Sequence, residues 1–207
     1  MKTAIIDYEA GNLANALRAA QRAGLDCFVT RDPEALRQAD ALVLPGVGAM
    51  KDAMDHLKAF GLADALKEEV RKGKKLVGIC VGLQVFCDYS EEGGHVEGLG
   101  LIPGAVVRFP EGKLKVPHMG WNELVFRRPH WIAEGLPPHP YVYFVHSYYK
   151  SPADTPDVVA CADYGVQVPA IIEKGHVLGL QFHPEKSGAV GAQIWKNIAA
   201  WMNGGDQ

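Results

Sequence analysis

The chain has 207 residues, of which 48% are hydrophobic and 22% charged, a composition that is ordinary for a globular protein with a substantial core. Its net charge of −3 gives no electrostatic reason to expect binding to nucleic acid or to an anionic membrane. No apolar run approaches the roughly 18 residues of a membrane span, and residues 1–12 turn polar too early for a signal peptide. We therefore expect a cytoplasmic protein with one domain over residues 1–207.

The N-terminal part alternates predicted strands with predicted helices. Helix starts are predicted at Gly11-Asn12 and at Asp32-Pro33, where an N-cap residue precedes a proline. The remaining predicted elements here are strands at 3–6, 27–29 and 41–44 and helices at 49–59 and 62–72. This alternation favours a parallel, doubly wound sheet, whose functional site lies at the carboxyl ends of its strands.

Residues 74–84, with the sequence KKLVGICVGLQ, predict a nucleophile elbow. A short apolar strand ends at Cys80, and we predict a helix over residues 81–89. Gly78 and Gly82 supply the small residues that a sharp strand-to-helix turn needs. The turn would place the sulfur at a helix N-terminus, which favours a thiolate, and direct the Val81 amide toward an oxyanion. A cysteine after an apolar run is otherwise a small buried hydrophobe, and the paired glycines favour the nucleophile.

The loop after the third strand reads Pro45-Gly46-Val47-Gly48. It lacks both the GxGxxG pattern and the Walker lysine, so a nucleotide loop is not expected. Beside the elbow, Val47 and Gly48 are placed to offer the second backbone amide of an oxyanion hole.

The second half of the chain has a different pattern. Between residues 99 and 180 it consists of short β-like runs separated by turns, which predict antiparallel hairpins. A helix over residues 188–202 follows. The predicted fold is therefore α/β, an open and mostly parallel sheet with helices on both faces, plus antiparallel hairpins in the C-terminal half.

His183 and Glu185 flank a proline after an apolar strand at 178–182. Their strand end belongs to the same sheet edge as Cys80, and side chains at i and i+2 can face the same way. A nucleophilic thiol needs a base, and the base needs a group that fixes its tautomer. We therefore predict a Cys80–His183–Glu185 triad.

The other cysteines and histidines predict no further chemistry. Cys27 and Cys161 lie in strand-like runs, Cys87 falls on the predicted elbow helix, and all three are expected to be structural. The eight histidines show no metal-ligand spacing, so neither a metal site nor a cofactor is predicted.

The elbow GICVGLQ with the distant FHPE resembles the class I, triad-type glutamine amidotransferase family. Within it the chain is similar to the glutaminase subunits that serve imidazole glycerol phosphate synthesis in the histidine pathway. The motifs that carry this likeness are IDYEAGN at 6–12, LPGVG at 44–48, PHMGWN at 117–122, FVHSYY at 144–149 and HPEKS at 183–187. Glu9 departs from the family, which has a small residue there.

The resemblance implies a reaction and a partner. Cys80 would attack the side-chain amide of L-glutamine, His183 would protonate the departing ammonia and then activate water, and Glu185 would orient His183. The ammonia would pass to a (β/α)8-barrel cyclase in a heterodimer. The residues implied to hold glutamine are Gln84, Glu92, Ser147 and Tyr148. Those implied to face the cyclase are Asn12, Met119, Trp121, Asn122, Tyr143 and Lys186, with core or hairpin packing as the alternative for Trp121.

Three other functions are compatible with parts of this pattern. The partner could belong to anthranilate, GMP or pyridoxal phosphate synthesis, although PHMGWN and PGVG favour the imidazole glycerol phosphate branch. A non-catalytic binding subunit would be expected to lose the cysteine or the histidine, and both are present. A thiol hydrolase or peptidase of similar layout would be distinguished by its activity on other amides and esters.

Overall fold

The computed structural model describes residues 1–112 and 114–204. The strands, in chain order, are β1 (Lys2–Ile6), β2 (Asp26–Thr30), β3 (Ala41–Gly46), β4 (Lys75–Cys80), β5 (Tyr89–Ser90), β6 (Val96–Glu97), β7 (Ala105–Arg108), β8 (His118–Glu123), β9 (Val125–Phe126), β10 (Tyr141–His146), β11 (Tyr148–Ser151), β12 (Val158–Asp163), β13 (Gln167–Lys174) and β14 (Val177–Leu180). The α-helices are α1 (Leu13–Arg22), α2 (Pro33–Gln38), α3 (Met50–Ala59), α4 (Leu62–Arg71), α5 (Val81–Gln84) and α6 (Gly188–Asn203), and short 3-10 helices lie at Trp131–Ala133 and Pro184–Lys186.

The central sheet has eight strands in the order β2-β1-β3-β4-β14-β13-β12-β9. The strands from β2 to β14 run parallel, and β13, β12 and β9 continue the sheet antiparallel. Two smaller sheets, β10-β8 and β11-β7-β5-β6, carry the rest of the C-terminal hairpins. The predicted α/β class, with a parallel half and antiparallel hairpins, is confirmed.

The burial of each strand follows its place in the sheet. Every residue of β3 and β14 is buried, as is all of β4 after its first residue, because these strands lie in the middle of the sheet. At the edge, β2 is only partly buried. The sequence predicted these strands because its continuous apolar runs are typical of strands buried on both faces.

The start of α2 and the buried side of α6 follow the sequence signals, whereas Asn12, at the start of α1, makes no side-chain capping bond. The Asp32 carboxylate accepts a hydrogen bond from the Glu34 amide at 3.0 Å, so the predicted N-cap of α2 is confirmed. In α6, Ile194 and Ile198 are fully buried as predicted, whereas Val190 is only partly buried. Among the described residues, no helix is long and apolar enough to cross a membrane.

The helix predicted over residues 81–89 is wrong in its length, since α5 ends at Gln84. The carbonyls that would continue it accept hydrogen bonds from a distant segment instead. The Leu99 amide donates to the Val85 carbonyl at 2.7 Å, and the Leu101 amide donates to the Phe86 carbonyl at 2.8 Å. These tertiary bonds replace the i to i−4 bonds of a helix, and they leave Cys87 in a buried turn.

Candidate active site

Cys80 lies at a sharp turn between β4 and α5. Its φ of 56° and ψ of −107° are unusual for a residue with a side chain. The flanking glycines admit the close backbone approach that this turn requires. A Cβ atom on Gly82 would lie 1.9 Å from the Leu44 carbonyl oxygen, and one on Gly78 would lie 2.4 Å from the Phe86 ring. The turn therefore has the geometry of a nucleophile elbow.

The Cys80 sulfur is buried among polar groups. It lies 3.8 Å from the Gln181 side-chain nitrogen and 4.0 Å from the Val145 carbonyl oxygen. The Gln181 amide N–H donates toward the sulfur, and the thiol in turn donates toward the Val145 carbonyl. Because α5 is a single turn, it is shorter than the helix on which the predicted dipole effect depended.

His183 and Glu185 form a buried pair. His183 Nδ1 is 2.7 Å from Glu185 Oε1, and the two side chains are 0% and 1% exposed. The Asn12 side-chain amide donates to the same carboxylate oxygen. Because β14 ends at Leu180, the 3-10 turn Pro184–Lys186 brings the imidazole and the carboxylate together, whereas the sequence predicted an extended strand end.

The proton positions follow from these partners. A carboxylate accepts hydrogen bonds, so Nδ1 of His183 carries a hydrogen and Nε2 is left to exchange a proton. Nε2 is buried and has no hydrogen-bond partner among the described residues. Burial opposes a charge on His183, but its interactions with Cys80 and then Glu185 outweigh burial and raise its pKa to about 9.

The other three cysteines lie in different surroundings. Burial raises the pKa of Cys27 to about 11 and that of Cys87 to about 12, and it also raises the pKa of Cys161. All three are therefore protonated thiols at neutral pH and poor nucleophiles. Cys27 and Cys161 lie in β2 and β12, where the sequence placed them in strands.

A cavity of about 280 Å³ opens above the Cys80 sulfur. It brings together all eight residues that the sequence assigned to the nucleophile, the oxyanion hole and the glutamine contacts. His183 and Glu185 are not among its lining residues. The lining residues are Val47, Gly48, Cys80, Val81, Gln84, Glu92, Pro117, Val145, His146, Ser147 and Tyr148. Glu92 is anchored at the start of α3, where its carboxylate accepts a hydrogen bond from the Met50 amide at 3.0 Å.

The residues predicted to face a partner lie at the surface beside this site. Met119 is 61% exposed and Trp121 is 57% exposed, so Trp121 is not a core residue. The Trp121 ring does contact the Tyr143 ring across the β8–β10 hairpin, at a centroid distance of 6.0 Å, so the alternative of hairpin packing stands beside the predicted interface. Lys186 is also exposed, and Asn12, Asn122 and Tyr143 are partly buried. The face is joined to the imidazole by its backbone, since the His183 amide donates to the Tyr143 carbonyl at 2.9 Å.

Sequence reasoning missed three of the lining residues, Pro117, Val145 and His146, and also Tyr8, His118 and Gln181, which do not line the cavity. The Tyr8 hydroxyl is buried against Gly46, where a Cβ atom would lie 2.0 Å from it, and burial and then Cys80 raise its pKa. His118 and His146 belong to the motifs PHMGWN and FVHSYY, which were noted only as family marks. The two motifs could therefore have pointed to these histidines, but the contacts that the histidines make could not be predicted from the sequence.

Glu9, the departure from the family pattern, adopts a left-handed backbone with φ of 66°. Such a conformation is most readily adopted by glycine, which explains why a small residue is expected at this position. The Glu9 carboxylate lies on the surface and pairs with Arg31 at 3.1 Å, away from the cavity.

Comparison with known proteins decides the family. The family model for glutamine amidotransferase class-I matches residues 4–200. The chain belongs to this family. Its predicted membership from the elbow and the distant FHPE motif is thereby confirmed.

Curated relatives match the chain over nearly their full length. The imidazole glycerol phosphate synthase subunit HisH of Geobacillus sp. (strain WCH70) is 47% identical over 97% of each chain. The HisH subunit of Syntrophotalea carbinolica is 49% identical and covers 94% of this chain and 97% of its own.

Solved structures have the same fold at lower identity. PurLQS from Thermotoga maritima aligns with a TM-score of 0.74 at 20% identity, over 98% of this chain and 99% of that chain. A crystal structure of a glutamine amidotransferase also has a TM-score of 0.74 at 20% identity, over 96% of each chain.

Proposed function

We propose that this chain is the glutaminase subunit of an imidazole glycerol phosphate synthase. It would hydrolyse L-glutamine through a thioester on Cys80 and deliver the ammonia to a cyclase partner for ring formation in histidine biosynthesis, in the cytoplasm. The observation that carries the proposal is the 47% identity to a HisH subunit over 97% of both chains. The geometry of Cys80, His183 and Glu185 supports it independently.

The first half of the reaction uses Cys80 and His183. With Nδ1 of His183 held by Glu185, Nε2 takes the thiol proton and leaves a thiolate beside an imidazolium, which the raised pKa of His183 favours. The sulfur attacks the side-chain carbonyl carbon of glutamine, and backbone amides of Val81 and of the Val47–Gly48 loop stabilise the oxyanion. The C–N bond then breaks, Nε2 returns its proton to the leaving nitrogen, and ammonia departs.

The second half regenerates the thiol. Neutral His183 takes a proton from water, and the resulting hydroxide attacks the thioester carbonyl. The C–S bond breaks, glutamate leaves, and the proton held on Nε2 returns to Cys80. Glu185 and Asn12 do not exchange protons in this scheme. They fix the tautomer and the orientation of the imidazole through the shared carboxylate oxygen.

The cavity offers suitable partners for the rest of the substrate. The Glu92 carboxylate complements an α-ammonium group, and its bond to the Met50 amide fixes its position. Gln84 and the backbone at Ser147 and Tyr148 line the same cavity and supply neutral hydrogen-bonding groups. A free amino acid with an amide side chain fits this combination.

The proposed contact with a (β/α)8-barrel cyclase comprises the exposed residues Met119, Trp121 and Lys186 and the partly buried residues Asn12, Asn122 and Tyr143. Two large apolar side chains exposed side by side are typical of an interface. Docking there could shift His183 and Glu185, because the His183 amide donates a hydrogen bond to the Tyr143 carbonyl and the Asn12 side chain donates one to the Glu185 carboxylate. Gly48, with φ of 97°, also gives the oxyanion loop a residue that tolerates reorientation of its backbone.

The experiment is steady-state hydrolysis of L-glutamine by the isolated chain, by the chain with cyclase, and by the complex with the cyclase ligand. We expect the ligand-bound complex to exceed the isolated chain by about 10² to 10³, the effect of completing an oxyanion hole. Equal rates in all three would contradict partner activation. Faster turnover of other amides or esters than of glutamine would favour a general thiol hydrolase.

A further inference from the structure

His118 and His146, which have no part in the mechanism above, meet across the hairpin of β8 and β10. They are paired in register, and His118 Nδ1 is 3.0 Å from His146 Nε2. Both are buried, at 2% and 6% exposure. The His118 ring is held between the rings of Phe144 and Tyr164, at centroid distances of 4.5 Å and 4.0 Å. The hydrogen-bond partners of the two rings determine which ring nitrogens carry a hydrogen.

That arrangement follows from a carbonyl group at one end. His146 Nδ1 lies 2.8 Å from the Tyr148 carbonyl oxygen, which only accepts, so Nδ1 carries the hydrogen. Burial lowers the pKa of His118 to about 4 and that of His146 to about 3, so both rings are neutral at pH 7. His146 Nε2 is then an acceptor, and His118 Nδ1 must donate to it.

The other end of the pair reaches the surface. His118 Nε2 carries no hydrogen, so its lone pair accepts a hydrogen bond from the Asn122 side-chain amide at 3.2 Å. That amide also donates to the Asp163 carbonyl at 2.8 Å. Donors therefore point one way, from Asn122 through His118 and His146 to the Tyr148 carbonyl.

The Tyr148 carbonyl connects this chain of bonds to the cavity. Gln84 donates to the same oxygen at 2.9 Å, and its amide nitrogen is also 3.3 Å from the Gln181 side-chain oxygen. Gln181 in turn donates toward the Cys80 sulfur at 3.8 Å. The Tyr148 carbonyl is thus the point where the histidine pair and the groups beside the nucleophile meet.

We propose that His118 and His146 are positioning residues for glutamine hydrolysis, which hold the Tyr148 carbonyl and, through it, the Gln84 side chain in their binding positions. This inference rests on the proposed function for the identity of the substrate. It also assigns Asn122 a role beyond contact with a partner, since its amide fixes the proton on His118. The hydrogen-bond polarity of the whole chain depends on that proton.

The test compares two substitutions of one residue. His118→Phe keeps an aromatic ring between Phe144 and Tyr164 and removes both ring nitrogens, whereas His118→Asn restores a donor at the place of Nδ1. We expect His118→Phe to raise the KM for L-glutamine about tenfold, the effect of losing one buried hydrogen bond, with a smaller change in kcat. His118→Asn should recover most of the loss, which a purely structural role would not predict.

His130→Phe is the matched control. The His130 side chain is also buried and lies 2.8 Å from the Glu173 carboxylate, but it does not line the cavity, so the KM of His130→Phe should equal that of wild type. KM is measured with and without the cyclase, so that partner contacts cannot account for the change. Urea unfolding of each variant checks its fold, and Asn122→Ala, which interrupts the same chain of bonds from the surface, is measured alongside.

An unchanged KM in folded His118→Phe would overturn the proposal, as would an equal rise of KM in His130→Phe. If His118→Phe does not fold, an unchanged KM in Asn122→Ala would overturn the proposal instead. A wild type that does not hydrolyse glutamine under any condition would remove the proposed function and the positioning role with it. An active wild type with unaffected variants would refute the positioning role alone.

Discussion

Replacing Gly82 by alanine tests whether the elbow depends on close packing between α5 and β3. The added Cβ would lie 1.9 Å from the Leu44 carbonyl oxygen, about 1.5 Å short of an ordinary contact of 3.4 Å. Leu44 pairs with Gly78 inside the central sheet, so its backbone cannot move without disturbing β4. The strain must instead be relieved by moving α5, and Cys80 and the Val81 amide move with it.

The size of the effect follows from two opposing terms. Glycine to alanine inside a helix normally stabilises by about 1 kcal/mol. Overpacking against backbone costs about 1–3 kcal/mol or more, and a displacement near 1.5 Å lies at the upper end of that range. We expect Gly82→Ala to lower the free energy of unfolding by about 2 kcal/mol net, and the activity of the folded protein by about 10², since a shift of that size misplaces reacting groups.

The assay is urea unfolding followed by glutamine hydrolysis with the cyclase complex. Gly93→Ala is the control, because Gly93 has φ of 73° with nothing within 4 Å of its added Cβ. That variant should lose about 1–2 kcal/mol from backbone strain and keep its activity. If Gly82→Ala unfolds at the wild-type urea concentration with wild-type activity, the packing argument for the elbow is refuted.

Three further predictions concern the triad. Cys80→Ala should abolish glutamine hydrolysis while Cys87→Ala keeps near-normal activity, and mass spectrometry after a glutamine-like electrophile should place the adduct on Cys80; an adduct on Cys87 or Cys161 would be incompatible with the mechanism. His183→Ala should remove nearly all turnover while Glu185→Gln leaves a measurable remainder, because in the proposed mechanism the imidazole moves protons and the carboxylate only orients it. Wild-type rates in His183→Ala would exclude the proposed role of the imidazole. Because the pKa of His183 is raised to about 9, its contribution to stability is complete below about pH 6.5 and is lost as the pH rises through 9. NMR titration should find the His183 ring titrating near pH 9 in wild type and at lower pH in Cys80→Ala, and identical curves would contradict the coupling.

The part of the fold that the sequence predicted well is the part governed by local signals. Buried parallel strands are continuous apolar runs, and the start of α2 carries the capping residue Asp32. The placement of Cys80 and His183 at one edge followed from topology alone, because the carboxyl ends of parallel strands meet there. Residues more than 100 positions apart could therefore be assigned to one site without knowledge of side-chain contacts.

The features that the sequence did not predict depend on pairing between distant segments. The end of α5 is decided by amides of residues 98–102, which no pattern within residues 81–89 reveals. The contact of His118 with His146 depends on the antiparallel register of β8 and β10. A shift of that register by one residue would turn these side chains to the opposite face, and neither motif fixes it by itself.

The loop between β1 and α1 contacts both halves of the site. Tyr8 packs against Gly46, and a Cβ atom on Gly11 would lie 2.9 Å from the Val47 side chain. At its end, Asn12 donates to the Glu185 carboxylate from a left-handed backbone with φ of 74°. Because one short segment packs against the proposed oxyanion loop and also bonds to the carboxylate beside His183, a partner that displaces it would alter the loop and the imidazole together. If docking at Asn12 activates the chain as proposed, no separate signal to the loop and to the imidazole is needed.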